Sequence, residues 1–223
     1  MTKTEIIPAI LPMTFAELVE QVELVKGIVK TVQVDICDGQ FVPNATWPYR
    51  KHDDSFEKII KEAEGLPAWE DLNYEFDLMV NHPETIVDDW VIAGASRLVI
   101  HAESQGDLTE TFAKLAGRVE IGLALDMQTD LSVVDKWYEQ INFVQLMGID
   151  NEGFQHQPFD AQVIDRLKKL REKYPELTIA IDGGVSLETA PSLIEAGADR
   201  LIVGSAIFQA ENVFEAIHHF KML

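Results

Sequence analysis

Three aspartates stand at the ends of apolar runs: Asp35 in "TVQVDIC", Asp77 in "NYEFDLMV" and Asp182 in "LTIAIDGGV". Two carboxylates on opposite sides of a pocket can act on one carbon, one removing a proton and the other returning a proton to the opposite face. A carbon beside a carbonyl needs such help, and the enediolate formed needs positive charge or hydrogen-bond donors nearby. If all three aspartates share one mouth they repel one another, so either one is protonated or a cation sits among them.

Two glycine-bearing turns supply a second kind of chemistry. "DGG" (182–184) and "GS" (204–205) each place small residues between a strand pattern and a helical one. Glycine lets backbone N–H groups approach a ligand, and a following helix N-terminus favours an anion. Gly183, Gly184, Gly204 and Ser205 are therefore the candidate phosphate cradle. Lys+Arg total 18 against 38 Asp+Glu, a net charge of −20. That excess disfavours nucleic acid and anionic membrane surfaces, so an anionic ligand has to be held by such local donors.

The elements that must position these residues are regular. Strand patterns occur at 5–11, 31–36, 73–80, 96–101, 119–125, 142–147, 177–182 and 199–204, each followed by a helical pattern. Thr14 precedes one helix, Pro83 opens another and Ser186 precedes a third, while "DAQVIDRLKKLREK" carries Val163, Leu167 and Leu170 on one face. Gly94 and Gly197 close two helices before the next strand. In "TVQVDIC" the residues Val32, Val34 and Ile36 share one face, and Gln33, Asp35 and Cys37 the other.

Eight βα units in 223 residues predict an α/β fold, a (β/α)8 TIM barrel forming a single domain over 1–223. The rival doubly wound sheet would announce a glycine-rich turn after its first strand, and "ILPMTF" has none. In a barrel the chemistry sits at the C-terminal strand ends, which brings Asp35, Asp77 and Asp182 to one mouth beside His101 and Glu103, and the phosphate loops to strands 7 and 8. No run of about 18 apolar residues occurs. The first residues, "MTKTEIIPAI", lack a signal-peptide pattern, and a lone cysteine, Cys37, fits a reducing cytosol. A cytoplasmic protein is expected, with no membrane or nucleic-acid partner and no organic cofactor.

The motifs that carry these residues resemble those of the ribulose-phosphate 3-epimerases. That family shows H-x-D-x-M-D-G-H-F-V-P-N on strand 2, H-L-M-V on strand 3, P-G-F-G-G-Q-x-F after strand 6, D-G-G on strand 7 and G-S-A-I on strand 8. This chain reads "QVDICDGQFVPN", "DLMVNHPE", "EGFQHQPF", "DGGV" and "GSAIF", in register from Pro8 to Phe208. The resemblance implies acid/base roles for Asp35 and Asp182. It implies a phosphorylated ketose as substrate, ribulose 5-phosphate and xylulose 5-phosphate first, in the pentose phosphate pathway. It also points to a homo-oligomer, since family members often assemble as dimers or larger.

The sequence departs from the family at the metal and the phosphate loop. The family's metal is held by two histidines and two aspartates, and those positions are Gln33, Asp77, Asp35 and Asp182 here. Losing both imidazoles removes the ligands that suit zinc or iron, and the remaining oxygen set suits magnesium or manganese. The loop glycines give Gly153, Phe154, Gln155 and His156, so two glycines are replaced by bulky side chains. Two other readings stand beside the epimerase: a sugar-phosphate-binding barrel that has lost turnover, and an epimerase for another ketose phosphate. A decarboxylase of a related superfamily, with D-x-K-x-x-D, is disfavoured because "DICDG" lacks the lysine.

Overall fold

A computed structural model describes residues 4–50, 53–150, 153–154 and 157–223 of the chain. β-Branched and aliphatic runs form eight parallel strands: β1 (Glu5–Ile10), β2 (Thr31–Cys37), β3 (Asn73–Met79), β4 (Ala95–His101), β5 (Glu120–Leu125), β6 (Phe143–Met147), β7 (Thr178–Asp182) and β8 (Arg200–Val203). They pair in sequence order, and β8 returns to β1 to close the barrel. The chain is thus the (β/α)8 barrel that its pattern predicts, and every strand bound agrees with the pattern to within a residue or two.

Helices cover the outside: α1 (Phe15–Val25), α2 (Ser55–Ile60), α3 (Val87–Ile92), α4 (Leu108–Leu115), α5 (Val133–Trp137), α6 (Gln162–Lys173), α7 (Ala190–Glu195), α8 (Ser205–Phe208) and α9 (Val213–Lys221). Thr14 caps α1 by accepting the Glu17 N–H at 3.2 Å, while the Glu17 carboxylate accepts the Met13 N–H at 2.7 Å. Two start signals act differently from their expected roles. Pro83 opens a 3-10 turn (Pro83–Thr85) and α3 follows it, and Ser186 makes a hydroxyl turn with Thr189 so that α7 starts only at Ala190. In the second case the side chain bonds locally before a full α-helical turn can form. Gly197, at φ +104°, closes α7 by donating to Ile194 O while Ala198 donates to Leu193 O, the paired bonds of a left-handed helix end.

Alternation divides every strand between two cores. Val32, Val34 and Ile36 face outward into the shell between sheet and helices, where Trp47, Phe56, Phe76 and Trp90 also pack as a ring cluster. The opposite faces fill the barrel. Its middle holds Ile7, Ala9, Val99, Ala124, Phe143, Ala180 and Ile202.

At the N-terminal end the barrel is closed by charge. Arg97 reaches Glu5 at 3.3 Å, Glu75 at 3.4 Å and Glu120 at 3.1 Å, and Arg200 reaches Glu5 at 3.4 Å and Glu120 at 3.2 Å. The Arg200 guanidinium lies over the Phe143 ring, 4.6 Å from its centre. Two guanidiniums match Glu5 and Glu120, which leaves Glu75 as the odd carboxylate. It is sealed from solvent, and burial pushes it up to about 7 although Arg97 and Arg200 pull the other way. The C-terminal end stays open.

Candidate active site

The interior face of β2 presents Gln33, Asp35 and Cys37 in turn, and the same alternation brings Asp77 from β3, Gln145 and Met147 from β6 and Asp182 from β7 toward the axis. Asp35, Asp77 and Asp182 each offer a carboxylate oxygen, and these atoms all lie within 4.8 Å of one another. The clustering expected of three strand-end aspartates is therefore present.

Two carboxamides sit between the carboxylates. The Gln33 amide donates to Asp35 Oδ1 at 2.9 Å and to Asp182 Oδ2 at 2.7 Å. Gln145 donates to Asp77 Oδ2 at 2.9 Å and to Asp182 Oδ2 at 3.3 Å. On the other side of Asp77, His101 Nε2 lies 2.9 Å from Oδ1. Gln33, Asp77, His101 and Gln145 have no exposed surface. One polar chain thus runs His101–Asp77–Gln145–Asp182–Gln33–Asp35 across the barrel.

This enclosure raises the pKa of Asp182 and of Asp35. Burial pushes Asp182 up to about 7, with the Asp77 charge adding to it and the Gln33 and Gly183 hydrogen bonds opposing. Asp35 rises well above the usual carboxylate range, first through burial and then through the charges of Asp182 and Asp77. Both carboxyl groups therefore keep their protons to higher pH than an ordinary carboxylate. Burial also drives the Cys37 thiol far up, so it packs as a neutral group 3.9 Å from Met79 Sδ.

Above the aspartates opens a cavity of about 410 Å3. Asp35, Asp77 and Asp182 form its floor, Met79, Met147 and Phe154 its apolar side, and Gly183, Gly184, Gly204 and Ser205 its other rim. Among the described residues, no lysine or arginine lines it. The donors this rim offers are backbone N–H groups and the Ser205 hydroxyl rather than a charged side chain. Gly184 holds φ +68°, and a Cβ there would fall 2.7 Å from the Phe159 Cβ, so this turn of the loop requires glycine. The expected dipole contribution is small. The segment after β7 forms α7 only at Ala190, and α8 is a single turn of 4 residues.

Gly153 and Phe154 line the cavity, while Gln155 and His156 lie outside the described residues. Asn44, from the loop after β2, donates to the Gly153 carbonyl at 2.8 Å and ties this rim to that loop. Asp38 holds the same loop by accepting the Gln40 and Phe41 N–H groups with Oδ1 and the Asn81 N–H with Oδ2. Sequence reasoning missed Gln145 altogether and did not pair His101 with Asp77. The available signal for Gln145 was a lone polar residue in "FVQLM", two before the inward Met147.

The arrangement fits a divalent cation on three observations. Three carboxylates converge, two carboxamides reach them, and the buried Gln33 Oε1 and Gln145 Oε1 have no hydrogen-bond partner among the described residues. Such a set suits magnesium or manganese.

The sequence profile of the ribulose-phosphate 3 epimerase family matches residues 5–208. The chain is 32% identical to the ribulose-phosphate 3-epimerase of Bacillus subtilis (strain 168), covering 97% of this chain and 98% of that one. It is 34% identical to the chloroplastic ribulose-5-phosphate-3-epimerase of Arabidopsis thaliana, covering 99% and 78%. Among solved structures, KGPDC from Streptococcus mutans superposes with a TM-score of 0.73 at 14% identity, covering 98% of this chain and 96% of that one. A 3-hexulose-6-phosphate synthase superposes at 0.68 with 17% identity, covering 98% and 99%. At those identities the two structures attest the barrel alone.

Proposed function

The chain belongs to the ribulose-phosphate 3-epimerase family, and from that premise we propose that it inverts the carbon next to the keto group of a phosphorylated ketose, ribulose 5-phosphate and xylulose 5-phosphate in the first place. The observation that carries this reading is the Asp35–Gln33–Asp182 bridge. One amide nitrogen holds two carboxyl groups from β2 and β7 at 2.9 and 2.7 Å, and burial together with neighbouring carboxylate charge raises the proton affinity of both.

With one member protonated and the other ionised, the pair offers one acid and one base facing the same cavity. The ionised member removes the proton from the carbon beside the carbonyl, leaving an enediolate. The protonated member delivers its proton to the opposite face, and the carbonyl re-forms. No electron is gained or lost, and the two carboxyl groups have exchanged protonation states. They regain the starting state by turning over in the reverse direction or by exchange with water. Met79, Met147 and Phe154 give the carbon chain an apolar wall. Gly183, Gly184, Gly204 and Ser205, with Gly153 and Phe154 at the mouth, receive the phosphate.

Asp35, Asp77, Asp182 and Gln33 would hold a magnesium or manganese ion. When bound, it supplies positive charge that stabilises the enediolate.

The test is epimerisation of ribulose 5-phosphate by the purified protein, measured after chelation and again with manganese, magnesium or zinc restored. Turnover that returns most fully with manganese or magnesium is expected. Unchanged turnover after chelation keeps the two aspartates and removes the ion. Substrate binding without turnover under every condition overturns the epimerase reading in favour of a sugar-phosphate-binding barrel.

A further inference from the structure

Gln145 belongs to no motif that marks the site, yet it occupies the centre of the polar chain. It extends from β6 between Ala124 on β5 and Ala180 on β7, its partners in register. These small neighbours leave the space that its carboxamide fills. Its Nε2 donates to Asp77 and Asp182, and its Oε1 has no hydrogen-bond partner among the described residues. Gln33 stands on the other side of Asp182 in the same condition, with Nε2 on two carboxylates and Oε1 unmatched.

We propose that Gln145 is a ligand of the cation site, and that a bound divalent ion turns the carboxamides of Gln33 and Gln145 over, so that Oε1 takes the place of Nε2 among the three carboxylates. The inference rests on the cation reading given above. Two features of the site carry it.

The first is size. A carboxamide is nearly symmetric, so a half-turn exchanges nitrogen and oxygen without moving the rest of the side chain. The four amide-to-carboxylate distances run from 2.7 to 3.3 Å. Oxygens at neighbouring corners of an octahedron with bonds of about 2.1 Å lie about 3.0 Å apart. The carboxylate oxygens converge as well, all lying within 4.8 Å of one another. The amide nitrogens therefore already stand at spacings that ligand oxygens would occupy.

The second is charge. With nitrogen inward, the amides hold the carboxylates together by donating to them. With oxygen inward, each amide would face carboxylate oxygens at repulsive distance, which is favourable only with a cation between them. The two orientations are thus the two occupancy states of one site. Five oxygen donors without an imidazole also explain the chemical direction of the departure from histidine: they select a hard ion.

The experiment is an equilibrium titration of the chelator-treated full chain with Mn2+, read by the electron paramagnetic resonance of the free ion. It is run on the wild type, Gln145→Leu and Gln145→Glu. A ligand role predicts that Gln145→Leu weakens Mn2+ binding by roughly tenfold or more. Gln145→Glu keeps an oxygen donor and is expected to bind at least as tightly as the wild type. In the wild type, Mg2+ is expected to shift the side-chain NH2 resonance that Gln145→Leu removes. Should Gln145→Leu bind Mn2+ as tightly as the wild type or more tightly, Gln145 only donates to the carboxylates and the proposal fails. If Gln145→Leu does not fold, an unmoved NH2 resonance of Gln145, identified through Gln145→Glu, overturns it equally. Absence of Mn2+ binding by the wild type removes the cation reading and this inference together. Epimerisation by the same chelator-treated sample then shows whether the two-aspartate reaction stands without it.

Discussion

His101 Nε2 and Asp77 Oδ1 lie 2.9 Å apart on neighbouring strands, and neither side chain has any exposed surface. The contact fixes Asp77 from the side opposite Gln145, so its two oxygens are held by different strands. The Phe41 ring packs against the imidazole at a tilt of 54°, with ring centres 5.0 Å apart.

Replacing His101 with Phe keeps the ring packing and removes the hydrogen bond. One buried carboxylate oxygen then loses this partner, which costs roughly 2 kcal/mol of stability. Urea unfolding of His101→Phe against the wild type measures it, and an unchanged midpoint would show that the contact contributes nothing.

Asp35→Asn and Asp182→Asn are expected to oppose activity and stability to each other. Each removes a proton-transfer group, so kcat for ribulose 5-phosphate epimerisation should fall by about a thousandfold or more. Each also removes one of the like charges crowded below the cavity, so the urea midpoint should rise rather than fall. Exchange of the substrate proton with deuterium from solvent, followed in the same variants, separates loss of proton removal from loss of binding.

Glu75 gives a pH dependence remote from the cavity. The unfolded chain releases this proton near the ordinary value of 4.5, whereas the folded chain keeps it to about 7. Across that window the native state binds the extra proton, so stability falls as pH rises through it and levels off above it. The decline from this group amounts to roughly 3 kcal/mol. Glu75→Gln should flatten the slope between about pH 5 and 8 in urea unfolding, and a slope identical to the wild type would contradict the assignment.

Asn44→Ala cuts the tether to the Gly153 carbonyl. A single neutral hydrogen bond at the rim is worth about 1 kcal/mol, so KM should rise roughly fivefold with kcat little altered. A loss confined to kcat would mean instead that the tether serves the aspartates.

The eight strands were legible because each is a β-branched or aliphatic run, and parallel strands buried on both faces tolerate little else. The three aspartates were legible because strand ends converge in a barrel whatever the details of the loops. Gln145 was not. In sequence it is one polar residue in an apolar strand, and its partner Asp77 is 68 positions away on a strand that does not pair with β6. Alternation places a residue inside the barrel, but not which residue across the axis it meets. The late start of α7 had the same origin: Ser186 reads as a helix cap, and only the geometry shows its hydroxyl closing a smaller turn first.

The small residues beside the glutamines have a consequence for variation. Ala9 lies in register with Gln33, and Ala124 and Ala180 flank Gln145. In one layer of the barrel, then, the hydrocarbon interior and the polar chain proposed to hold the ion are built from the same set of side-chain volumes. Enlarging Ala124 or Ala180 by a single methylene group resembles an ordinary interior substitution, yet it displaces a carboxamide and with it two aspartates. Catalytic drift in this protein can therefore begin at alanines that carry no chemistry of their own, and a restored reaction can require a compensating deletion on a neighbouring strand.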